Sequence, residues 1–215
     1  MNNTNTTGNT GATSNVERNA GATIATSNVE RNAGATNTAS AKPILLTLPL
    51  TREKIAQLHT GDMCLLSGVM YTLRDAGHVR LLEELTDIGA LPYNLEGQTI
   101  FYAGPSPASA GRPFGAIGPT TSSRMDFAAP ALYRAGIVAT VGKGHRNAEV
   151  ARAIKETGGV YFAAVGGAAA ALARCVVSEE VISYADLGTE ALRKIEVKDF
   201  PVFVALDASG ESIYV

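Results

Sequence analysis

The sequence predicts an α/β domain in which a mixed sheet is flanked by helices. Two observations support this fold class. Between residue 43 and the C-terminus, short apolar runs typical of buried strands alternate with segments of helical periodicity. Glycines follow several of the helical segments, at the place where glycine commonly ends a helix. The length of 215 residues is enough for one good core or two small ones.

Residues 1–42 are predicted to be a disordered tail. They consist mainly of Asn, Thr, Ala, Gly and Ser, which cannot bury enough apolar surface to offset chain entropy. Residues 12–23 recur unchanged as residues 25–36, a repeat with a period of 13 residues. Two copies of so short a unit are too few for a solenoid. The folded domain is therefore predicted to comprise residues 43–215.

The first half of this domain is predicted as strand, helix, strand, helix, strand. Ile55 and Leu58 mark a short helix, the apolar run 62–70 reads as a buried strand, and Leu81, Leu82 and Leu85 have helical spacing. The predicted elements are strand 44–50, helix 52–59, strand 62–70, helix 73–86 and strand 99–102.

The second half is predicted to continue the alternation. Gly136 and Gly158 are expected to end the first two of its helices. The predicted elements are helix 128–135, strand 137–141, helix 149–156, strand 160–165, helix 168–176, and strands 181–184 and 202–206. Because the runs from residue 137 onward are apolar throughout, they are expected to be parallel strands covered on both faces.

Charge and composition argue against several function classes. The 18 basic and 20 acidic residues leave a net charge of −2, which gives no general attraction to nucleic acid or anionic membranes. Tryptophan is absent and aromatic residues are few, so a base-stacking platform is not expected. No apolar run approaches the roughly 20 residues needed to span a bilayer, and the N-terminus lacks a secretory-signal layout.

The two cysteines, Cys64 and Cys175, each lie in an apolar segment. We predict that they are buried small hydrophobic residues in a reducing compartment, the cytoplasm. Two cysteines cannot complete a four-cysteine zinc site or hold an iron–sulfur cluster within this chain. No metal site is therefore expected in the chain itself.

Three segments at strand ends carry candidate functional residues. The first follows the strand 62–70 and contains Arg74, Asp75 and His78. An arginine beside an aspartate is commonly a solvated ion pair, but a guanidinium held in place also binds carboxylates through paired hydrogen bonds. On a helix that included Arg74, His78 would share its face and be a further candidate, although such histidines are more often structural.

The second segment is residues 118–126, GPTTSSRMD. Its hydroxyls suit a helix start, where side-chain oxygens cap free amides and the dipole favours an anion. An ordinary capped helix and an anion-binding cradle explain these residues equally well. In the second case Arg124 would bind the anion, with Thr121 as a further candidate. Thr120 could act as a base only if neighbouring cations stabilised its alkoxide.

The third segment is residues 141–146, where Lys143 lies between Gly142 and Gly144 and is followed by His145. Glycines on both sides allow the backbone to approach a ligand, and Lys143 supplies a point charge. A plain turn with a solvated lysine is an equally good interpretation. The segment does not have the order of a phosphate-binding loop, which argues against a nucleotide-binding module.

Together these segments predict a site for a small dicarboxylate. Ligands of α/β proteins bind at the carboxyl ends of strands, and two or three cations suit two carboxylates. No acid–base pair, metal cage or Ser-His-Asp arrangement is evident in the sequence. The pattern therefore indicates part of an active site rather than a complete one.

Longer motifs resemble those of class I fumarases and the related L-tartrate dehydratases. Residues 66–78, LSGVMYTLRDAGH, resemble the family pattern LSGxxYTxRDxxH, and residues 118–126 resemble GPTTSxRMD. Four further segments are similar to family motifs: the GKG at 142–144, YFAAVGGAAA at 161–170, YADLGTEA at 184–191 and EVKDFP at 196–201. The resemblance runs in order from about residue 44 to the C-terminus and leaves out the tail.

The resemblance implies a β subunit, equivalent to the C-terminal domain of single-chain members, with a swivelling β/β/α fold. It implies that Arg74, Arg124 and Lys143 bind the substrate carboxylates and that Thr120 is the proposed base. The [4Fe–4S] cluster and the acid would lie on a partner α subunit, in an assembly of α2β2 type. The expected reaction is the reversible hydration of fumarate to (S)-malate.

Two alternatives are carried forward. The first is the β subunit of an L(+)-tartrate dehydratase, which the segments at 184–191 and 196–201 favour less than a fumarase. The second is a non-catalytic, stand-alone binding or assembly domain.

Overall fold

The computed structural model describes residues 42–107 and 115–214. The predicted tail, residues 1–42, therefore lies outside the described residues except for its last position. Within the described ranges the chain is a mixed α/β structure in which a sheet is flanked by helices, and this confirms the predicted class. The swivelling arrangement implied by the resemblance stays a prediction.

The described residues form seven strands and five α-helices. The strands are β1 Ile44–Thr47, β2 Met63–Thr72, β3 Thr99–Phe101, β4 Ala139–Gly142, β5 Val160–Ala163, β6 Val176–Ser183 and β7 Leu192–Leu206. The α-helices are α1 Arg52–Ile55, α2 Ala76–Ile88, α3 Ala129–Arg134, α4 Ala148–Thr157 and α5 Ala169–Ala173. Two short 3-10 helices, Ser122–Met125 and Ala185–Glu190, lie in the loops.

Local sequence explains where helix α4 begins and ends. The Asn147 side chain accepts a hydrogen bond from the Val150 amide at 2.9 Å and so caps the first turn. Gly158 ends the helix at a φ of +62°, a left-handed conformation that glycine adopts without strain. Between these ends Val150, Ala153 and Ile154 form the buried face, as the periodicity predicts.

Strands β1 to β5 are parallel to their neighbours in the order β1-β2-β3-β4-β5. The long strand β7 pairs antiparallel with β5, β6 and β2. Since β2 also pairs with β3, the strands β2, β3, β4, β5 and β7 close into a ring. The carboxyl ends of β2, β3 and β4 consequently meet at one edge of the sheet.

Fully buried aromatic and aliphatic side chains fill the interior around this ring. Phe101 and Phe200 pack edge to face with ring centroids 5.3 Å apart, and both belong to the largest apolar cluster. Burial of each such side chain contributes about 1.5–3 kcal/mol relative to its exposure. This largest cluster draws side chains from all seven strands, with Phe101 of β3 and Phe200 of β7 in contact within it.

A glycine permits a bulge in the most extensively paired strand. The register between β2 and β7 shifts between Leu66 and Gly68, where Gly68 has a φ of +120°. A Cβ atom at Gly68 would lie 2.7 Å from the Leu48 carbonyl oxygen. Any other residue at this position would combine backbone strain with a steric clash.

The end of the sheet differs from the prediction. Strands β6 and β7 are antiparallel rather than parallel, and β7 begins at Leu192, ten residues before the predicted start. Its first half alternates buried Ile195 and Val197 with charged residues, so it is a half-exposed strand rather than an apolar run. Strand β6 begins at Val176, within the predicted helix 168–176, because α5 ends at Ala173.

No helix in the part of the chain that the structure describes has both the length and the apolar character to cross a membrane.

Candidate functional site

The three predicted segments meet at the carboxyl edge of β2, β3 and β4. Arg74 follows β2, where the Leu73 amide donates to the Phe101 carbonyl at 3.1 Å. The Thr120 amide donates to the Tyr102 carbonyl just beyond β3, at 2.7 Å. Lys143 directly follows β4. The sheet thus brings together residues that lie up to about seventy positions apart in the sequence.

The segment 118–126 differs in conformation from the predicted capped helix. It forms one short 3-10 helix from Ser122 to Met125, and the preceding Thr121 makes no side-chain capping hydrogen bond. The hydroxyls have other partners: Ser122 Oγ lies 3.0 Å from the Tyr161 hydroxyl, and Thr120 Oγ1 faces Arg74. The prediction that these hydroxyls cap a helix is therefore wrong, and a single 3-10 turn supplies no extended helix dipole for an anion.

Arg74 is held between a hydroxyl and a carboxylate. Its Nη2 donates to Glu190 Oε1 at 3.2 Å, and its Nη1 lies 3.5 Å from Thr120 Oγ1, at the outer limit of a hydrogen bond. The side chain is 28% exposed, so part of the guanidinium stays open to a ligand. A Cβ atom at Gly104 would come within 2.9 Å of Arg74 Nε, so this position must be glycine for the arginine to lie here.

Arg124 lies beside Arg74 and shares a carboxylate with it. Asp75 Oδ2 is 2.6 Å from Arg124 Nη2 and 3.6 Å from Arg74 Nε. Arg124 is 54% exposed, whereas Asp75 is 20% exposed. The two guanidinium groups therefore flank one carboxylate at the sheet edge, with the outer sides of Arg124 facing solvent.

Lys143 is joined to the 118–126 segment through the backbone. The Ser122 amide donates to the Lys143 carbonyl at 2.9 Å, and the Lys143 amide donates to the Thr120 carbonyl at 3.3 Å. The lysine is exposed, and a Cβ atom on Gly166 would contact its stem at 3.7 Å. Across residues 42–107 and 115–214, no carboxylate forms an ion pair with its ammonium group.

Three of the predicted candidate residues remain: Thr121, His145 and His78. Thr121 is exposed and forms a backbone bridge with Lys143, while His145 is exposed two residues further along the same loop. His78 is fully buried, with its ring packed edge to face on Tyr102 at 5.1 Å. Helix α2 begins at Ala76 rather than at residue 73, so Arg74 and His78 do not share a helical face as predicted.

Burial of His78 leads to a pH-dependent stability. Burial, together with the nearby Arg146 cation, lowers the pKa of His78 to about 3. In the unfolded chain its pKa returns to about 6.5, so below this pH the unfolded state binds a proton that the folded state does not. The free energy of unfolding should therefore fall by about 1.4 kcal/mol between pH 7.5 and pH 5.5 through this histidine alone.

Urea unfolding at the two pH values measures this loss. His78→Leu should remove about 1.4 kcal/mol of the pH difference, whatever its effect on absolute stability. His145→Leu, which changes an exposed histidine, is the matched control for replacing a histidine by leucine. Equal pH dependence in wild type and His78→Leu would show that His78 is protonated to the same extent in both states.

A buried ion pair lies beneath the site. The Arg146 side chain is fully buried and donates from Nε to Asp126 Oδ1 at 2.6 Å. Its guanidinium carbon lies 5.2 Å from the ring centre of Tyr102 and 5.0 Å from that of Tyr161. Asp126 Oδ2 also accepts from the Asn147 amide at 2.8 Å. This pair thus links the end of the 118–126 segment to the loop that carries Lys143.

Tyr161 strengthens the same link. Its hydroxyl contacts Ser122 Oγ at 3.0 Å and donates to the Gly144 carbonyl at 2.8 Å. A Cβ atom on Gly142 would lie in contact with Ser122 Oγ, so the close approach of the two segments requires glycine there. The backbone positions of Thr120, Arg124 and Lys143 are therefore set by one connected network.

Sequence reasoning gave no role to Glu190, Asp126 or Arg146. Glu190 both pairs with Arg74 and accepts from the Ala76 amide at 2.9 Å, which caps α2 from 114 residues away. Nothing in its local sequence indicates this contact. A signal was available for the other two: Asp126 and Arg146 are charged residues next to otherwise apolar segments, and such residues are rarely buried unless they are paired.

The cysteines do not form a metal site. Cys64 is buried in β2, as predicted, and burial raises the pKa of its thiol to about 12. Cys175 follows α5 and is only partly buried, contrary to the prediction that both are interior residues. Both thiols are free, and no group of three or more metal-binding side chains occurs in the described parts of the chain.

The chain is similar to one family model and to several known proteins. A family model described as Fumarase C-terminus matches residues 13–215, a match that begins thirty residues before the predicted start of the domain. The chain is 34% identical over 165 residues to fumarate hydratase 2 of Leishmania major, covering 76% of the chain and 29% of that protein. It is 37% identical over 164 residues to the anaerobic class I fumarate hydratase of Escherichia coli, covering 75% and 30% respectively.

The chain spans less than a third of the length of these two fumarate hydratases. It covers a much larger share of a third relative. It is 38% identical over 171 residues to a putative L(+)-tartrate dehydratase subunit beta of Methanocaldococcus jannaschii, covering 77% of the chain and 88% of that subunit. The similarity thus extends over a domain of the larger proteins and nearly the whole of the smaller one.

Proposed function

Since the chain belongs to the Fumarase C-terminus family, we propose that it is the β portion of a class I fumarate hydratase. In this role it binds the dicarboxylate during the reversible hydration of fumarate to (S)-malate. A partner α portion supplies the remaining catalytic groups. The complete enzyme is a hydro-lyase, and this chain on its own forms one wall of its pocket.

The observation that carries the proposal is the meeting of Arg74, Thr120, Arg124 and Lys143 at one sheet edge. These residues come from three separate segments, and the backbone bonds between Thr120, Ser122 and Lys143 hold two of the segments together. Within the described parts of the chain, the three cations outnumber the two carboxylates that contact them, Asp75 and Glu190. A local excess of positive charge favours a dianionic ligand.

The exposure of the three cations supports the roles proposed for them. Arg124 and Lys143 are exposed, and Arg74 is partly exposed. Each arginine carries five N–H donors, so contacts with Asp75 and Glu190 leave donors for a substrate carboxylate. Lys143 supplies a point charge from a neighbouring strand end. We propose that the arginines orient one carboxylate and that Lys143 contacts the other end of the molecule.

Thr120 is proposed as the base. In the dehydration direction its Oγ1 takes the proton from the carbon next to a carboxylate, and in the hydration direction it returns that proton. A free threonine hydroxyl is a weak base, so nearby cations must stabilise the alkoxide. Arg74 Nη1 lies 3.5 Å from Thr120 Oγ1 and is positioned to do this.

We propose that the [4Fe–4S] cluster is bound by the partner α portion, in an assembly of α2β2 type. The residues of this chain do not fit such a cluster, because it has only two cysteines and no grouped metal ligands in its described parts. The acid that complements Thr120 would also lie on the partner. Two free thiols are in keeping with a reducing compartment, and we propose the cytoplasm.

A second candidate is the β subunit of an L(+)-tartrate dehydratase. The observation that favours it is the relative from Methanocaldococcus jannaschii, of which the chain covers 88%. Tartrate is also a dicarboxylate, so the same cations would bind it. The two candidates therefore differ in substrate rather than in the use of this site.

Reconstitution tests the proposal. The full chain is mixed with a cluster-loaded α portion of a class I fumarate hydratase, and the loss of fumarate absorbance is followed. Turnover of fumarate only when both parts are present is the expected result. Turnover of L(+)-tartrate without turnover of fumarate would favour the second candidate. A chain that binds the α portion but turns over neither substrate would indicate a non-catalytic binding or assembly domain.

A further inference from the structure

Asp75 has a backbone conformation that is unusual for any residue except glycine. Its φ is +40° and its ψ is −108°. Residues with side chains rarely adopt such angles, and where they persist the surrounding structure must maintain the strain. Strain of this kind is concentrated at functional sites, so a favourable interaction that offsets it should be present nearby.

The favourable interaction that offsets the strain is not a helix cap. Asp75 precedes α2, at a position where aspartate commonly accepts a hydrogen bond from the first helical turn, yet its side chain makes no such bond. Glu190 does this instead, since its Oε2 accepts from the Ala76 amide at 2.9 Å. The carboxylate of Asp75 is thereby left free for another role.

The carboxylate lies between the two arginines of the site. Its Oδ2 is 2.6 Å from Arg124 Nη2 and 3.6 Å from Arg74 Nε. Two guanidinium groups this close would repel each other without an intervening negative charge. Arg124 is 54% exposed, and its contact with Asp75 is the one ion pair it forms among the described residues.

We propose that Asp75 is a positioning residue that holds Arg74 and Arg124 side by side for a substrate carboxylate, and that the strain at its backbone is the consequence of placing its carboxylate there. This inference rests on the proposed function. Arginines fixed in advance lose less conformational freedom when the substrate binds, which strengthens binding without a new contact.

Two substitutions separate the charge from the strain. Asp75→Asn keeps the size of the side chain and the strain at the backbone, but it removes the negative charge. Asp75→Gly removes the side chain and the strain together. Asp199, an exposed residue with a φ of +52° outside the site, provides the matched controls Asp199→Asn and Asp199→Gly.

The first experiment measures KM and kcat for fumarate in the complex with the α portion. Asp75→Asn should raise KM about tenfold, since a charge-assisted contact that orients both arginines is lost. The change in kcat should be smaller, and Asp199→Asn should leave both constants unchanged. A KM within twofold of wild type overturns the inference. So does a lower KM, which would mean that Asp75 competes with the substrate for the arginines.

The activity of the wild-type complex distinguishes a failure of this inference from a failure of the proposed function. If the wild-type complex does not hydrate fumarate, the proposed function fails. If it does and Asp75→Asn behaves like wild type, only the positioning role fails.

The second experiment measures thermal unfolding of the full chain and does not depend on activity. Asp75→Gly should unfold about 2–4 °C above Asp75→Asn, because only glycine relieves the strain. Asp75→Asn should unfold close to wild type. An unfolding temperature of Asp75→Gly at or below that of Asp75→Asn would overturn the claim that residue 75 is held under strain.

Discussion

Arg124→Ala should lower kcat/KM of the reconstituted enzyme for fumarate about a hundredfold while leaving this chain folded. A charge-assisted hydrogen bond to a carboxylate is worth about 1.5–3 kcal/mol, and each 1.4 kcal/mol corresponds to a factor of ten. The fold should tolerate the change because Arg124 is 54% exposed and its ion pair with Asp75 is not part of the core. Steady-state kinetics and circular dichroism measure the two effects.

Arg134→Ala is the matched control for this substitution. Arg134 lies on α3, is 45% exposed and pairs with Glu156 at 3.1 Å, so it resembles Arg124 in exposure and in having one acidic partner. Its replacement should change neither the kinetics nor the fold. A loss of folding in Arg124→Ala would show that the arginine is structural, and wild-type kinetics would show that it does not touch the substrate.

The largest effect on stability is expected from Asp126→Leu. This change removes the acceptor of a fully buried guanidinium, which then stays between the rings of Tyr102 and Tyr161 without its counter-charge. Breaking one side of a buried ion pair costs about 3–5 kcal/mol. Equilibrium unfolding in urea should show this loss in the free energy of unfolding.

The double variant Asp126→Leu with Arg146→Met provides the decisive comparison. Replacing both charges by apolar side chains is often close to neutral, so the double variant should be more stable than either single one. The exposed pair of Arg134 and Glu156 is the control, and its removal should cost less than about 1 kcal/mol. Additive losses in the double variant would mean that Asp126 and Arg146 act independently.

The placement of the site at the strand ends could be predicted because it depends on local patterns. Apolar runs identify β2, β3 and β4; Arg74 lies one residue beyond the end of β2, separated from it by Leu73, and Lys143 directly follows β4. In a parallel arrangement the carboxyl ends of such strands meet at one edge. Residues that are neighbours of a strand end in the sequence are therefore neighbours of the site in space.

Contacts between distant segments could not be predicted in this way. Glu190 reaches Arg74 across 116 positions, and Arg146 reaches Asp126 across 20. A hydroxyl-rich run can cap a helix or pair with a buried tyrosine. Here Ser122 pairs with Tyr161, which lies 39 positions further along the chain. The conformation of Asp75 likewise depends on Arg124 and Glu190, which local propensity does not include.

Strand β7 shows a different limit for the fold. Ile195 and Val197 alternate with charged residues and are buried, which is the pattern of a half-exposed strand, and the predicted strand 202–206 leaves this signal out. The partners of β7 could not be predicted from that pattern. Antiparallel pairing with β2 and β5 closes the ring of strands and depends on residues forty or more positions away.

The structure of the reconstituted complex with bound fumarate or malate tests the central claim most directly. Guanidinium nitrogens of Arg74 and Arg124 should lie about 2.7–2.9 Å from oxygens of one carboxylate, with Thr120 Oγ1 facing the carbon beside a carboxylate. A dicarboxylate bound entirely by residues of the partner, with both arginines still engaged only by Asp75 and Glu190, would contradict it.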